Sequence, residues 1–278
     1  MVINLLELFD LSVTKNGDKI AIVDGTRTIS FNDLDKKSDI LSQKIHNIAE
    51  SVNRPVAVFL PKCIEAVIAN IAIMKSANIF MNLDVKTPGQ RLSNIVDLIE
   101  PVLIITDVKN VELINEVSGK IPILIIDDVN WEENINKETV KQQWSSVIDT
   151  DPFCIINTSG STGTPKGVVL NHLSFLDFIY RSHEAFNIGE NEIMGSLSPL
   201  VFDIYVLELC MLMYRSATIV LLPAHLSAFP VKILKIMQQQ HVTFIFWVPT
   251  IMVNIANMGL LEKEPLPSLK PVSYTHLT

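Results

Sequence analysis

Short runs made almost wholly of apolar residues recur along this chain, and stretches with helical spacing separate them. Residues 55–60, 79–83, 102–106 and 121–126 are such runs, with helical stretches at 63–74, up to Ile99, and at 108–117. A strand that is apolar throughout has no face to offer to water, so both faces of its sheet must be covered. Helices placed between such strands supply that cover, and the pattern predicts a mostly parallel sheet. Ahead of it, residues 20–23 and 27–30 flank Asp24-Gly25, a two-residue hairpin signal. Residues 31–48 read as an amphipathic helix through Leu34, Ser38, Leu41 and Ile45, with Ser30 as its N-cap.

The stretch 127–150 breaks the pattern. It is polar and acidic, without a clear apolar period, and reads as an exposed excursion or linker between two sub-sheets. The alternation then resumes. Strands are expected at 153–158, 167–170, 193–197, 217–222 and 242–246, and helices at 172–186, 203–213, 228–240 and 250–258. The expected fold is α/β, with stacked, mostly parallel sheets flanked by helices. Residues 1–150 would form a first sub-sheet, residues 151–270 a second, and residues 271–278 an atypical tail.

Of the 278 residues, 48% are hydrophobic and 19% charged, which suits a buried core and excludes general disorder. The net charge of −8 and the lack of a basic tract argue against nucleic-acid binding. Cys63, Cys154 and Cys210 stand far apart in apolar runs, which points to buried thiols rather than a disulfide framework or a zinc site. The opening residues carry acids and no basic region, unlike a secretory signal. Apolar runs such as 217–224 are too short to cross a bilayer. A cytoplasmic enzyme is the simplest expectation.

One loop carries most of the chemistry. Residues 158–167 read Thr-Ser-Gly-Ser-Thr-Gly-Thr-Pro-Lys-Gly and follow an apolar strand, with three glycines, five hydroxyl residues and one lysine. Glycines let backbone amides approach phosphate oxygens. The hydroxyls of Thr158, Ser159, Ser161, Thr162 and Thr164 can donate to them or sit near Mg²⁺. Lys166 adds a compact positive charge to an acidic protein. The order of residues is not that of a Walker A loop, which ends Gly-Lys-Ser/Thr. Composition alone leaves a polar surface loop as the alternative.

The full string resembles the phosphate-binding signature of the adenylate-forming superfamily, which includes acyl-CoA synthetases, luciferases and amino-acid adenylation domains. Every fixed position of that signature is present from Thr158 to Gly167. Residues 28–34, 74–84 and 87–92 are similar to earlier segments of the same family, with Asn78 where a glycine is usual and Asn82 where a proline is usual. The resemblance implies that Thr158, Ser159, Gly160, Ser161, Thr162, Gly163, Lys166 and Gly167 cradle ATP phosphates, with Mg²⁺ sharing the charge.

Residues 198–209 narrow the branch. They contain Phe202-Asp203, where acyl-CoA synthetases and luciferases usually carry a histidine. Amino-acid adenylation domains of nonribosomal peptide synthetases and D-alanine–carrier protein ligases carry Phe-Asp there. The resemblance implies that Asp203 holds the substrate ammonium and that Ile204, Leu207 and Phe246 line the side-chain pocket. A helix cap for Asp203 and ordinary core packing for the other three are the plain alternatives. His172 reads as a cap or structural residue.

The expected activity is ATP-dependent conversion of an amino acid to its aminoacyl-adenylate, followed by transfer to the phosphopantetheine thiol of a carrier protein. An acyl-CoA ligase of the same superfamily and a degenerate nucleotide-binding protein remain open. The family's later motifs and the small C-terminal domain with its catalytic lysine are not found in the sequence, so no catalytic residue is assigned. On this reading the chain is a fragment, inactive alone.

Overall fold

The structure, a computed structural model, describes residues 2–159 and 165–270. The tail expected at 271–278 lies outside the described residues. The chain opens with α1 (Leu5–Asn16), the hairpin β1 (Ile20–Asp24) and β2 (Arg27–Ser30), and α2 (Phe31–Ala49). Next come β3 (Pro55–Phe59), α3 (Ile64–Lys75), β4 (Ile79–Asn82), α4 (Gly89–Ile99), β5 (Leu103–Thr106), α5 (Val111–Val117) and β6 (Ile123–Ile125). After α6 (Lys137–Ser145) follow β7 (Pro152–Ser159), β8 (Pro165–Asn171), α7 (His172–Phe186), β9 (Ile193–Ser196), α8 (Asp203–Arg215) and β10 (Thr218–Leu221). The described chain finishes with α9 (Pro230–Gln239), α10 (Pro249–Asn257) and α11 (Leu260–Lys263).

Two compact units emerge. Residues 1–8 and 32–177 form one, and residues 9–31 and 178–278 the other. The first holds a six-stranded sheet in the order β6-β5-β3-β4-β7-β8, parallel except for the β7–β8 pair. The strand and hairpin around the glycine-rich loop therefore join the first sheet, through the pairing of Phe80 with Cys154. Ala57, Met81, Ile104 and Ile155 from the strands pack with Leu92, Ile95 and Val96 of α4.

The stretch read as an exposed excursion contains α6. Asn136 caps it, its side-chain oxygen accepting the N–H groups of Glu138 (3.1 Å) and Thr139 (3.4 Å). Val140 and Trp144 face inward and are buried, and the helix lies beside α3. Asn4 donates to the carbonyls of Trp144 (3.3 Å) and Val147 (3.0 Å), fixing the end of the helix. Only three apolar residues at helical spacing, Val140, Trp144 and Val147, mark it in a polar sequence.

The second unit holds a four-stranded sheet in the order β2-β1-β10-β9. The β1–β2 hairpin is antiparallel with Gly25 at φ +61°, a left-handed position that suits glycine. β10 runs parallel to β1 on one side and to β9 on the other. The strand expected at 242–246 reduces to one bridge, Met194 with Phe244. Side chains take over the bonds a longer ladder would use. Thr243 Oγ1 accepts the Ile193 N–H at 2.9 Å, and the Trp247 indole donates to the Gly195 carbonyl at 2.8 Å. Pro249 then opens α10.

In the first unit Lys75 is buried at the end of α3 and pairs with two carboxylates of α2, Asp35 at 2.6 Å and Asp39. Burial raises the Asp39 pKa, the Lys75 charge opposes that, and the nearby Asp35 adds to it. Replacing Lys75 by Met leaves the buried Asp39 without its ion-pair partner and Asp35 with only the exposed Lys137 at 3.9 Å. Lys75→Met is expected to lower the unfolding free energy by about 3 kcal/mol in urea titration at neutral pH.

Candidate functional site

The glycine-rich string begins and ends on paired strands. Thr158 lies opposite Lys166, and Asn157 opposite Gly167. The Thr158 hydroxyl donates to the Lys166 carbonyl at 3.4 Å, across the mouth of the hairpin. Thr158 and Lys166 are both exposed, so a hydroxyl and an ammonium stand together at the open end of the sheet. Gly160, Ser161, Thr162 and Gly163, and the side chain of Ser159, lie outside the described residues. Gly167 is held without a side chain by crowding. A Cβ there would come within 2.8 Å of Ile99 Cδ1 and 3.0 Å of Ile155 Cγ2. The absence of a side chain lets β8 settle on α4 directly behind the loop.

Asp203 and Ile204 open α8 and line a cavity of about 440 Å³ in the second unit. Its other walls come from three loops: Leu197 to Pro199 after β9, Ala224 and Ser227 after β10, and Trp247, Val248 and Ile251 at the start of α10. Phe202 occupies the N-cap position of α8 with an extended backbone, and the Asp203 carboxylate accepts the Ile204 N–H at 2.9 Å. A carboxylate in the first helical turn is favoured by the exposed amides there. Behind the cavity Ser196 of β9 donates to the buried Glu208 of α8, which anchors the helix to the sheet.

The four pocket residues expected from the sequence do not all meet. Asp203 and Ile204 line this cavity. Leu207 is 1% exposed in the core, and Phe246 makes an edge contact with Phe186 at 5.8 Å. Trp247, Val248 and Ile251 were not expected, although they follow Phe246 directly. Their signal is Pro249, the first residue of α10, which sets them at the start of that helix.

Among the described residues no helix is long and apolar enough to cross a membrane, and no cluster of three or more His, Cys, Asp or Glu side chains could hold a metal ion.

The AMP-binding enzyme family matches residues 9–275. The chain belongs to that family. Among curated relatives, this AMP-binding chain is 26% identical over 266 residues to D-lysergyl-peptide-synthetase subunit 1 of Claviceps purpurea (strain 20.1), which covers 95% of the chain and 7% of that protein. It is 25% identical to zwittermicin A synthase ZmaJ of Bacillus cereus, over 88% of the chain and 46% of ZmaJ. The AMP-binding chain thus spans less than half the length of these two relatives. Among solved structures, the nonribosomal peptide synthetase FmoA3 in its α-methyl-L-serine-AMP bound form aligns with a TM-score of 0.84 at 20% identity, over 96% of this chain and 29% of FmoA3.

In this AMP-binding chain His172 is a core residue. It is 2% exposed, its Nδ1 accepts the Leu5 N–H at 3.2 Å, and its ring lies 5.2 Å from that of Phe153. Burial pushes its pKa down to about 4, with Asp151 pulling weakly the other way. The folded protein therefore binds this proton less readily than the unfolded chain, whose histidine titrates near 6.5. The stability it contributes is complete above about pH 6.5 and is lost as the pH falls toward 4. Urea titrations across that window should show a loss of about 3 kcal/mol that the His172→Asn variant lacks.

Proposed function

We propose that this chain binds ATP and an amino acid as part of an adenylate-forming ligase. The observation that carries the reading is Asp203, a carboxylate on the wall of an otherwise largely apolar cavity. Asp203 is itself exposed, so its carboxylate is open to a cation brought by a ligand, and an α-ammonium is such a cation. The aminoacyl-AMP in the FmoA3 structure and the peptide-synthetase relatives support the same assignment.

The hairpin of the first unit is the candidate for the nucleotide. Thr158 and Lys166, with Ser159, Gly160, Ser161, Thr162, Gly163 and Gly167, would hold the ATP phosphates. Exposed donors on paired strands suit that role. Magnesium would ride mainly on the phosphates, since it keeps waters and substrate oxygens as ligands. It would neutralise the leaving pyrophosphate. Adenylation joins the amino-acid carboxylate to the α-phosphorus and breaks the bond to the β-phosphate oxygen. Both reactants are anionic, so the protein's work is to position them and offset charge. Transfer of the aminoacyl group to a carrier protein's phosphopantetheine thiol is the step that follows in this branch. A cytoplasmic setting, where ATP is present, fits the chemistry.

Calorimetric titration separates the two halves. Lys166→Ala should weaken ATP binding about tenfold, the loss of one charge-assisted contact. Asp203→Asn should leave ATP affinity unchanged and weaken amino-acid binding tenfold or more. Equal ATP affinity for wild type and Lys166→Ala would refute the phosphate assignment. Binding of fatty or aryl acids in place of amino acids would move the chain to the acyl-CoA ligase branch.

A further inference from the structure

The cavity beside Asp203 also says what kind of side chain it can accept. This step rests on the amino-acid reading above. An ammonium bound at the Asp203 carboxylate fixes the substrate's Cα next to the wall that Asp203 shares with Ile204. The substituent on that carbon must then enter the cavity or point away to water.

Three features of the cavity decide what enters well. The first is polarity. Leu197, Ile204, Trp247 and Ile251 supply apolar wall, the hydroxyls of Ser198 and Ser227 are neutral, and among the described residues Asp203 is the one charged residue lining it. An acidic side chain would face that carboxylate, and like charges repel. The second is size. About 440 Å³ is far more than a methyl group fills, whereas it suits an aromatic ring or a branched aliphatic group. The third is rigidity. Trp247 is 4% exposed and pinned by its indole bond to the Gly195 carbonyl at 2.8 Å. The Ser196–Glu208 bond holds α8 to the sheet. These bonds hold two of the walls in place, and a small side chain would touch few of the lining residues and forfeit contacts.

We propose that the substrate is an amino acid with a bulky apolar side chain, aromatic or branched aliphatic, and that this side chain occupies the cavity bounded by Ile204, Trp247, Ile251 and Ala224. The D-alanine class of substrate is thereby disfavoured.

The test is a calorimetric panel on the 278-residue chain with ATP present, using L-phenylalanine, L-leucine, L-alanine, L-aspartate, L-lysine and 3-phenylpropanoate. Phenylalanine or leucine should bind at least about tenfold tighter than alanine, since each methylene in an apolar pocket is worth roughly tenfold or more. Ala224→Leu, which narrows the cavity from a partly exposed turn, should reverse that order. Tighter binding of alanine, aspartate or lysine would overturn the inference, as would a preference unaltered by Ala224→Leu. Equal binding of phenylalanine and 3-phenylpropanoate would instead strike at the role of Asp203 while leaving the apolar cavity standing. Failure of every compound to bind would overturn both.

Discussion

Parallel pairing of β10 with β9, and of β7 with β4, sets the direction in which the chain leaves each sheet. In a parallel sheet the strands share one polarity, so the loops after their C-terminal ends emerge on one edge. Ligand sites in open α/β sheets form at that edge. Within the second unit, the cavity is built from loops that follow β9 and β10 and from the residues after the Phe244 bridge. In the first unit the glycine-rich string leaves the C-terminal end of β7. The candidate segments are thus products of strand direction.

Much of this was legible in advance because wholly apolar strands are hard to mistake. Residues 55–59, 79–82 and 103–106 are strands on every count, and their neighbours are helices. The hairpin at Asp24-Gly25 follows from turn chemistry alone, since its glycine adopts positive φ. Helix α6 was missed because three buried apolar residues and an asparagine cap are a faint signal among lysines, glutamates and glutamines. Residues 242–246 have the composition of a strand, yet Thr243 and Trp247 satisfy the partner's backbone with side chains and the ladder stops after one bridge. Periodicity cannot register that substitution.

The site shows the same division. The resemblance of residues 158–167 and of Phe202-Asp203 to a known family singles out the two candidate groups, because each is a short local string. Cavity walls depend on which residues meet in space. Leu207 and Phe246 are apolar and adjacent in sequence to the wall, but one points into the core and the other toward Phe186. Trp247 and Ile251, which sequence reading passed over, join the wall at the start of α10, beside Pro249. His172 illustrates the reverse case: a titratable residue beside the loop whose burial and bond to Leu5 make it a packing element.

The account stands on two charge-bearing features, a cationic hairpin for phosphate and a carboxylate for an ammonium. A crystal structure of the chain with ATP, Mg²⁺ and L-phenylalanine tests both at once. The account predicts triphosphate oxygens within hydrogen-bonding distance of Thr158 and Lys166, and the amino-acid nitrogen on the Asp203 carboxylate with its ring in the cavity. A triphosphate bound away from that hairpin, or an amino acid that leaves Asp203 unengaged, would contradict it.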